Sequence, residues 1–196
     1  MVIAILALQG AFAEHQQMLQ RIGAESFLIR NIADWNYYLS STSKGQRGLI
    51  IPGGESTAMI RILQDEALMQ PLRQAILEGM PTFGTCAGMI LLAQRVSNDT
   101  RERLATMDIE VKRNAYGRQL GSFFVEHEFQ DIGLIPMTFI RAPYIENVGS
   151  EVEVLSTLDG HIVAARQGAQ LVCSFHPELN SDTRVHAYFL SMIANR

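Results

Sequence analysis

Cys86 stands in the stretch FGTCAG, between Gly84 and Gly88, where the apolar run MPTF ends and another, MILLA, begins. A free cysteine most often behaves as a small buried hydrophobe. The setting here is different: a G-x-C-x-G pattern at a strand-to-helix junction is the cysteine counterpart of a nucleophile elbow. Small neighbours there tolerate a strained turn and leave the reactive atom exposed above the sheet edge. The sulfur would meet the first free N–H groups of the following helix and the positive end of its dipole, both of which favour thiolate. The N–H of Ala87 is placed to face an oxyanion.

A cysteine nucleophile needs a base, and CSFHPEL, residues 173 to 179, supplies His176 with Glu178 two positions on. Pro177 biases His176 towards an extended backbone, so the i, i+2 pair points to one side. A carboxylate beside the imidazole fixes its tautomer and stabilises the imidazolium. Taken alone, HPE also suits a surface loop with an incidental ion pair; its company with GTCAG favours the base. The stretch PGGEST, residues 52 to 57, adds Gly53 and Gly54, which let the backbone approach a ligand and offer further N–H donors opposite Cys86. Ser56 or Thr57 is the expected N-cap of the next helix. No Gly-Lys follows, which argues against nucleotide binding.

The other titratable groups read as structural. His15 and His186 fall in helical segments, His127 in a strand and His161 in a turn, and Cys173 in LVCSF reads as a core thiol. A metal site would need third and fourth ligands that the spacing does not supply, and nothing calls for a cofactor.

The elements that must position these residues alternate in the first half. VIAILAL (2 to 8) reads as a strand, His15, Met18, Leu19 and Ile22 form a helical stripe, and ESFLI (25 to 29) is again a strand. GLIIP (48 to 52) is a third strand and is followed by helical material in which Leu68, Leu72 and Ile76 share a face and Gly79 caps the end. PTFGT (81 to 85) is a fourth strand, and AGMILLAQ (87 to 94) opens the next helix. Apolar strands alternating with helices indicate a parallel sheet covered on both faces. After residue 107 the texture changes to short alternating runs with LDGH and RQGAQ as turns, which predicts antiparallel or mixed strands. A closing helix carries Val185, Tyr188, Phe189, Met192 and Ile193 as one stripe. No linker divides the chain, so residues 1–196 are expected to form one α/β domain with a mostly parallel sheet and additional antiparallel strands in its second half.

Composition narrows the partners. Hydrophobic residues make up 47% and charged residues 18% of 196, which excludes a disordered chain. A net charge of -4, with Lys and Arg scattered, leaves no footprint for nucleic acid. The apolar start MVIAILAL is short and lacks a basic leader, and no run approaches a membrane span. With two unpaired-looking cysteines, a protein of a reducing compartment, the cytoplasm, is expected.

Together, PGGEST, FGTCAG and SFHPEL resemble the loop, elbow and His-Glu strand of class I (triad) glutamine amidotransferases. LALQGAFAEH, VKRNAYGRQLGSF (111 to 123) and FIRAP (139 to 143) narrow the resemblance to the glutaminase subunits of pyridoxal 5'-phosphate synthase, in the same order over essentially the whole chain. The resemblance implies a flavodoxin-like class I glutaminase fold and a Cys86-His176-Glu178 triad that hydrolyses L-glutamine. It further implies an oxyanion site from Gly53, Gly54 and Ala87, and a glutamine site lined by Gly54, Glu55, Ser56, Arg113, Ile140 and Arg141, without saying which arginine takes the α-carboxylate. It implies, too, that ammonia passes to a synthase subunit; the expected position of Gln9, Gly10 and the PGGEST loop at the carboxyl ends of strands puts them at that interface. The elbow alone leaves open a γ-glutamyl hydrolase, another amidotransferase subunit or a cysteine peptidase.

Overall fold

The computed structural model describes residues 1–113 and 121–194; residues 114–120, the NAYGRQL part of the 111 to 123 motif, Tyr116 included, lie outside the described residues. Five parallel strands make the centre of the main sheet: β1 (Val2–Leu6), β2 (Glu25–Ile29), β3 (Arg47–Ile51), β4 (Thr82–Thr85) and, much later in the chain, Gln170–Cys173. Their spatial order is β2, β1, β3, β4 and then the late strand, each parallel to its neighbour. Residues 3–6 and 49–51 are buried without alternation, as a sheet covered on both faces requires. One face packs under α1 (Phe12–Arg21) and the C-terminal helix, Arg184–Ala194, through Ile3, Ile5, Ile50, Phe83, Leu19 and Phe189. The other packs under α2 (Ile32–Ser41), α3 (Ser56–Asp65), α4 (Met69–Leu77) and α5 (Ala87–Leu92), through residues such as Leu6, Leu49, Met59 and Leu72.

The second half extends the sheet with antiparallel pairs, as expected. After β5 (Ala93–Val96) and β6 (Met107–Lys112), the hairpin β7 (Ser122–Phe129) and β8 (Gly133–Ile140) stands as a separate two-stranded sheet. β9 (Tyr144–Val148), β10 (Glu153–Leu158) and β11 (His161–Gln167) lead into β12 (Gln170–Cys173), which returns to the parallel centre beside β4. The C-terminal helix is α6. Asp159 and Gly160, both at positive φ, form the β10–β11 turn at LDGH.

Three details depart from the sequence reading. The helical stretch after PGGEST is two helices, broken where Ala67 takes φ +54. The helix opened by AGMILLAQ stops at Leu92, and Ala93 and Gln94 already belong to β5. Residues 32–41 form α2, unread in the sequence because Trp35 and Tyr38 alone are buried and mark too thin a stripe; Asn31 caps it by accepting from the Asp34 N–H at 2.9 Å. Among the described residues no helix is long and apolar enough to cross a membrane.

Candidate active site

β4 stops at Thr85 and α5 starts at Ala87, which leaves Cys86 to make the whole turn at φ +48 and ψ -99. A side-chain-bearing residue there is strained, and the surroundings must hold it. Its N–H donates to the Cys173 carbonyl at the end of β12, 2.8 Å away. Neither Gly84 nor Gly88 has a positive φ. A Cβ on Gly88 would lie 2.0 Å from the Ile51 carbonyl oxygen, and one on Gly84 would lie 2.8 Å from the Gly88 carbonyl carbon. The flanking glycines therefore serve close packing of α5 on β3 and β4, while the cysteine itself bears the strained dihedral.

β12 lies beside β4, so the residues that follow it arrive next to the elbow. His176 is fixed by its own backbone, whose N–H donates to the Thr138 carbonyl of β8 at 2.8 Å. Pro177–Leu179 is a 3-10 turn, not the extended continuation expected from the i, i+2 argument, yet His176 Nδ1 still meets Glu178 Oε1 at 2.7 Å. That contact leaves Nε2 of His176 for Cys86, the interaction with which raises the pKa of the imidazole. Burial opposes charge on His176, but the hydrogen bonds to Cys86 and Glu178 outweigh it and push its pKa up to about 10. Burial likewise works against the Glu178 charge, and His15 and His176 hold its carboxyl below the usual range. Cys86 and His176 are each 7% exposed and Glu178 5%, and the first two face one opening.

That opening is a cavity of about 390 Å³. It is lined by Gly54, Glu55, Ser56, Arg113, Ile140 and Arg141 around Cys86 and His176, so every residue expected to touch substrate faces it. Gly53 packs against the His176 ring, where a Cβ would come within 2.3 Å of Cε1, and Ala87 follows Cys86 directly. The PGGEST loop is tied to residues 9–11: Gly53 O accepts from the Ala11 N–H at 3.1 Å, and Gln9 Oε1 accepts from the Glu55 N–H at 2.7 Å. Gly10, at φ +90, sits so close to this loop that a Cβ would fall 1.8 Å from Gly53 O. The N-cap of α3 is Glu55, neither Ser56 nor Thr57; its carboxylate accepts from the Thr57 and Ala58 N–H groups at 3.0 and 2.8 Å. Arg113 bridges Glu55 at 3.4 Å and Asp99 at 3.1 Å. Arg141 takes φ +44 just after β8, its N–H held by the Gly121 carbonyl at 2.6 Å.

The SNO glutamine amidotransferase family model matches residues 5–195. The chain belongs to the SNO glutamine amidotransferase family. Curated relatives agree: the "Pyridoxal 5'-phosphate synthase subunit PdxT" of Streptococcus pneumoniae strain CGSP14 is 54% identical over 98% of this chain and 97% of its own length. The protein of the same name from strain D39 is 53% identical over the same shares. A solved glutamine amidotransferase superposes with a TM-score of 0.90 at 39% identity, covering 99% of this chain and 100% of that one. Another glutamine amidotransferase, from Thermotoga maritima, superposes with a TM-score of 0.59 over 99% of this chain and 84% of that one; at 13% identity it shares the fold alone.

In this SNO amidotransferase the structure also brings to the site residues that the sequence does not mark as lining it. Gln9, Ile90 and Pro143 line the cavity; Gln9 is legible only as part of QGAFAEH, and Ile90 and Pro143 carry no chemical signal at all. His15 and His186, which in the sequence read as structural, are both fully buried; α1 sets His15 behind Glu178 and α6 sets His186 behind His15.

Proposed function

We propose that this chain is the glutaminase subunit of a pyridoxal 5'-phosphate synthase, hydrolysing L-glutamine to L-glutamate and passing the ammonia to a synthase subunit. One observation carries the reading: in an SNO amidotransferase, Cys86 and His176 face one cavity, with Glu178 2.7 Å behind His176 and Arg113 and Arg141 at the cavity wall. Residues 1–196 act in it as one glutaminase domain.

Glutamine enters with its side-chain amide over Cys86. Arg141 is exposed and has no ion-pair partner among the described residues, whereas Arg113 already serves Glu55 and Asp99, so Arg141 takes the α-carboxylate. Glu55 faces the α-ammonium. The Cys86 thiolate adds to the amide carbon, and the oxyanion so formed is met by the N–H groups of Ala87 and of the Gly53-Gly54 loop. His176, charged in the resting pair, gives its proton to the departing ammonia as the C–N bond breaks and the glutamyl thioester forms. The now neutral imidazole takes a proton from water, whose oxygen attacks the thioester carbon; glutamate leaves and the thiolate–imidazolium pair returns. Glu178 keeps Nε2 of His176 aimed at sulfur throughout.

The synthase subunit docks where the loop 52–57 and residues 9–10 are joined, at the carboxyl ends of β1 and β3, where sheets of this class open onto ligands. Two free cysteines support a cytoplasmic setting. The test is glutamate release from glutamine with and without the synthase subunit, with pyridoxal phosphate formation read in the same tube. Folded chain plus synthase subunit that releases no glutamate, or a Cys86→Ala variant that still does, would end this reading.

A further inference from the structure

Behind Glu178, away from the cavity, lies a buried group that the mechanism above does not use. Glu178 Oε1 is occupied by His176, while Oε2 is buried and finds no well-aligned hydrogen bond. Nε2 of His15 lies 3.5 Å from it, and the same nitrogen lies 3.2 Å from Thr85 Oγ1, one residue before Cys86. His15 Nδ1 in turn lies 2.9 Å from His186 Nε2, and His186 Nδ1 is buried with no partner.

The hydrogen positions follow from counting donors. Two nitrogens 2.9 Å apart share one hydrogen. If it sits on His15 Nδ1, then the neutral His15 turns a bare Nε2 lone pair towards a carboxylate oxygen. His186 must then carry its hydrogen on Nδ1, a buried donor with nothing to accept it. If it sits on His186 Nε2, then His15 carries its own hydrogen on Nε2, facing Glu178 Oε2 and Thr85 Oγ1, and His186 Nδ1 is left only as an idle acceptor. The second arrangement strands no ring hydrogen and turns a donor towards Glu178 Oε2, with the Thr85 hydroxyl then accepting from His15; the first lets Thr85 donate to His15 but strands the His186 Nδ1 hydrogen and turns a lone pair on the carboxylate. Burial lowers the pKa of His15 against the pull of Glu178 and takes that of His186 to about 3, which agrees with the hydrogen count in assigning His15 as a neutral donor to Glu178.

We propose that His15 and His186 are positioning residues for the glutaminase reaction: the His186 Nε2–H fixes the tautomer of His15, whose Nε2–H holds the second oxygen of Glu178, so that the carboxylate cannot turn when His176 gives up and regains its proton. The pair draws together α1, α6, the end of β4 and the turn 177–179 on one carboxylate. This rests on the triad reading in the preceding subsection.

Two measurements test it. On the intact chain, nitrogen-15 imidazole spectra should show His15 and His186 both neutral and both protonated at Nε2 near pH 7. A hydrogen on Nδ1 of His15, or an imidazolium at either position, overturns the assignment whether or not the chain is a glutaminase. In the complex with the synthase subunit, His15→Leu should lower kcat about tenfold or more with KM changed less than about twofold. His15→Gln, whose amide nitrogen can take the Nε2 position, should recover most of that loss. Should His15→Leu fail to fold, His186→Leu against His186→Gln makes the same comparison one step further back. Equal kcat for Leu and Gln variants of a folded protein, or a change confined to KM, rejects the positioning role. A wild-type complex that releases no glutamate rejects instead the function on which it rests.

Discussion

The imidazole of His176 and the carboxylate of Glu178 meet at 2.7 Å although the chain between them has already left the extended form for a 3-10 turn. The pairing is thus not made by strand geometry. It is made by a backbone clamp, the His176 N–H on the Thr138 carbonyl of the β7–β8 hairpin, and by the helices that close over Glu178. Replacing Glu178 with Gln should leave the chain folded and lower kcat by about 100-fold or more, since an amide can hold the ring but not stabilise its charge. Steady-state glutaminase kinetics in the presence of the synthase subunit measure this.

Charge on His176 also links stability to pH. Its pKa rises from 6.5 in the unfolded chain to about 10 in the fold. A raised pKa means that its contribution is fully present below pH 6.5 and is lost as pH rises through 10. The unfolding free energy should therefore fall between those limits, by at most roughly 1.4 kcal/mol per pH unit. Urea unfolding of wild type and His176→Gln across pH 6.5 to 10 should show the steeper decline in the wild type.

His186 acts in the opposite direction. Burial lowers its pKa from 6.5 to about 3, so between these values the unfolded chain binds a proton that the folded chain does not. Stability should decline as pH falls below 6.5, with a limiting slope of roughly 1.4 kcal/mol per unit from this ring. In His186→Gln the acid slope should be shallower; an unchanged slope would place the acid sensitivity elsewhere.

The glycines of the elbow separate cleanly by what surrounds them. Gly88→Ala drives a Cβ to 2.0 Å from the Ile51 carbonyl and should cost about 3 kcal/mol or more, because neither β3 nor α5 can withdraw. Gly45→Ala meets nothing within 4 Å and should change stability by less than about 0.5 kcal/mol. Thermal melting of the two variants makes the comparison directly.

At the cavity, Arg141→Ala should raise KM for glutamine by about tenfold or more, as expected for loss of a charge-assisted contact to a carboxylate. Arg113→Ala should also disturb Glu55, whose carboxylate it neutralises. Gln9→Ala frees the Glu55 N–H and loosens the loop that holds Gly53 and Gly54. It should weaken both the docking of the synthase partner and the activity that docking supports; a variant normal in both assays removes residues 9–10 from the interface.

The chemistry-bearing stretches are legible because they are local. A nucleophile elbow, a Pro-Gly-Gly loop and a His-Pro-Glu triplet each declare a turn and a reactive group within a few residues, and apolar runs alternating with helical stripes declare a covered parallel sheet. Their common destination follows from the rule that parallel strands present their carboxyl ends on one edge. Even there one feature has a different cause: the glycines beside Cys86 read as relief for a strained turn, and they prove to be packing surfaces, since only Cys86 carries the strain. The cap of α3 moves to Glu55 because a side chain two and three residues ahead of the free N–H groups reaches them as well as a hydroxyl does.

His15 and His186 mark the other limit. They stand 171 residues apart, one in the first helix and one in the last, and in each helix an apolar stripe explains a buried ring without any function. Sequence alone picked out Cys86, His176 and Glu178 as candidates and the sheet that gathers them, because periodicity and turn chemistry are short-range. Only the tertiary structure decided that α1 and α6 cover the same face of that sheet and set His15 against Glu178 with His186 behind it, because which helices share a face is set by strand order, and strand order is a property of the closed core.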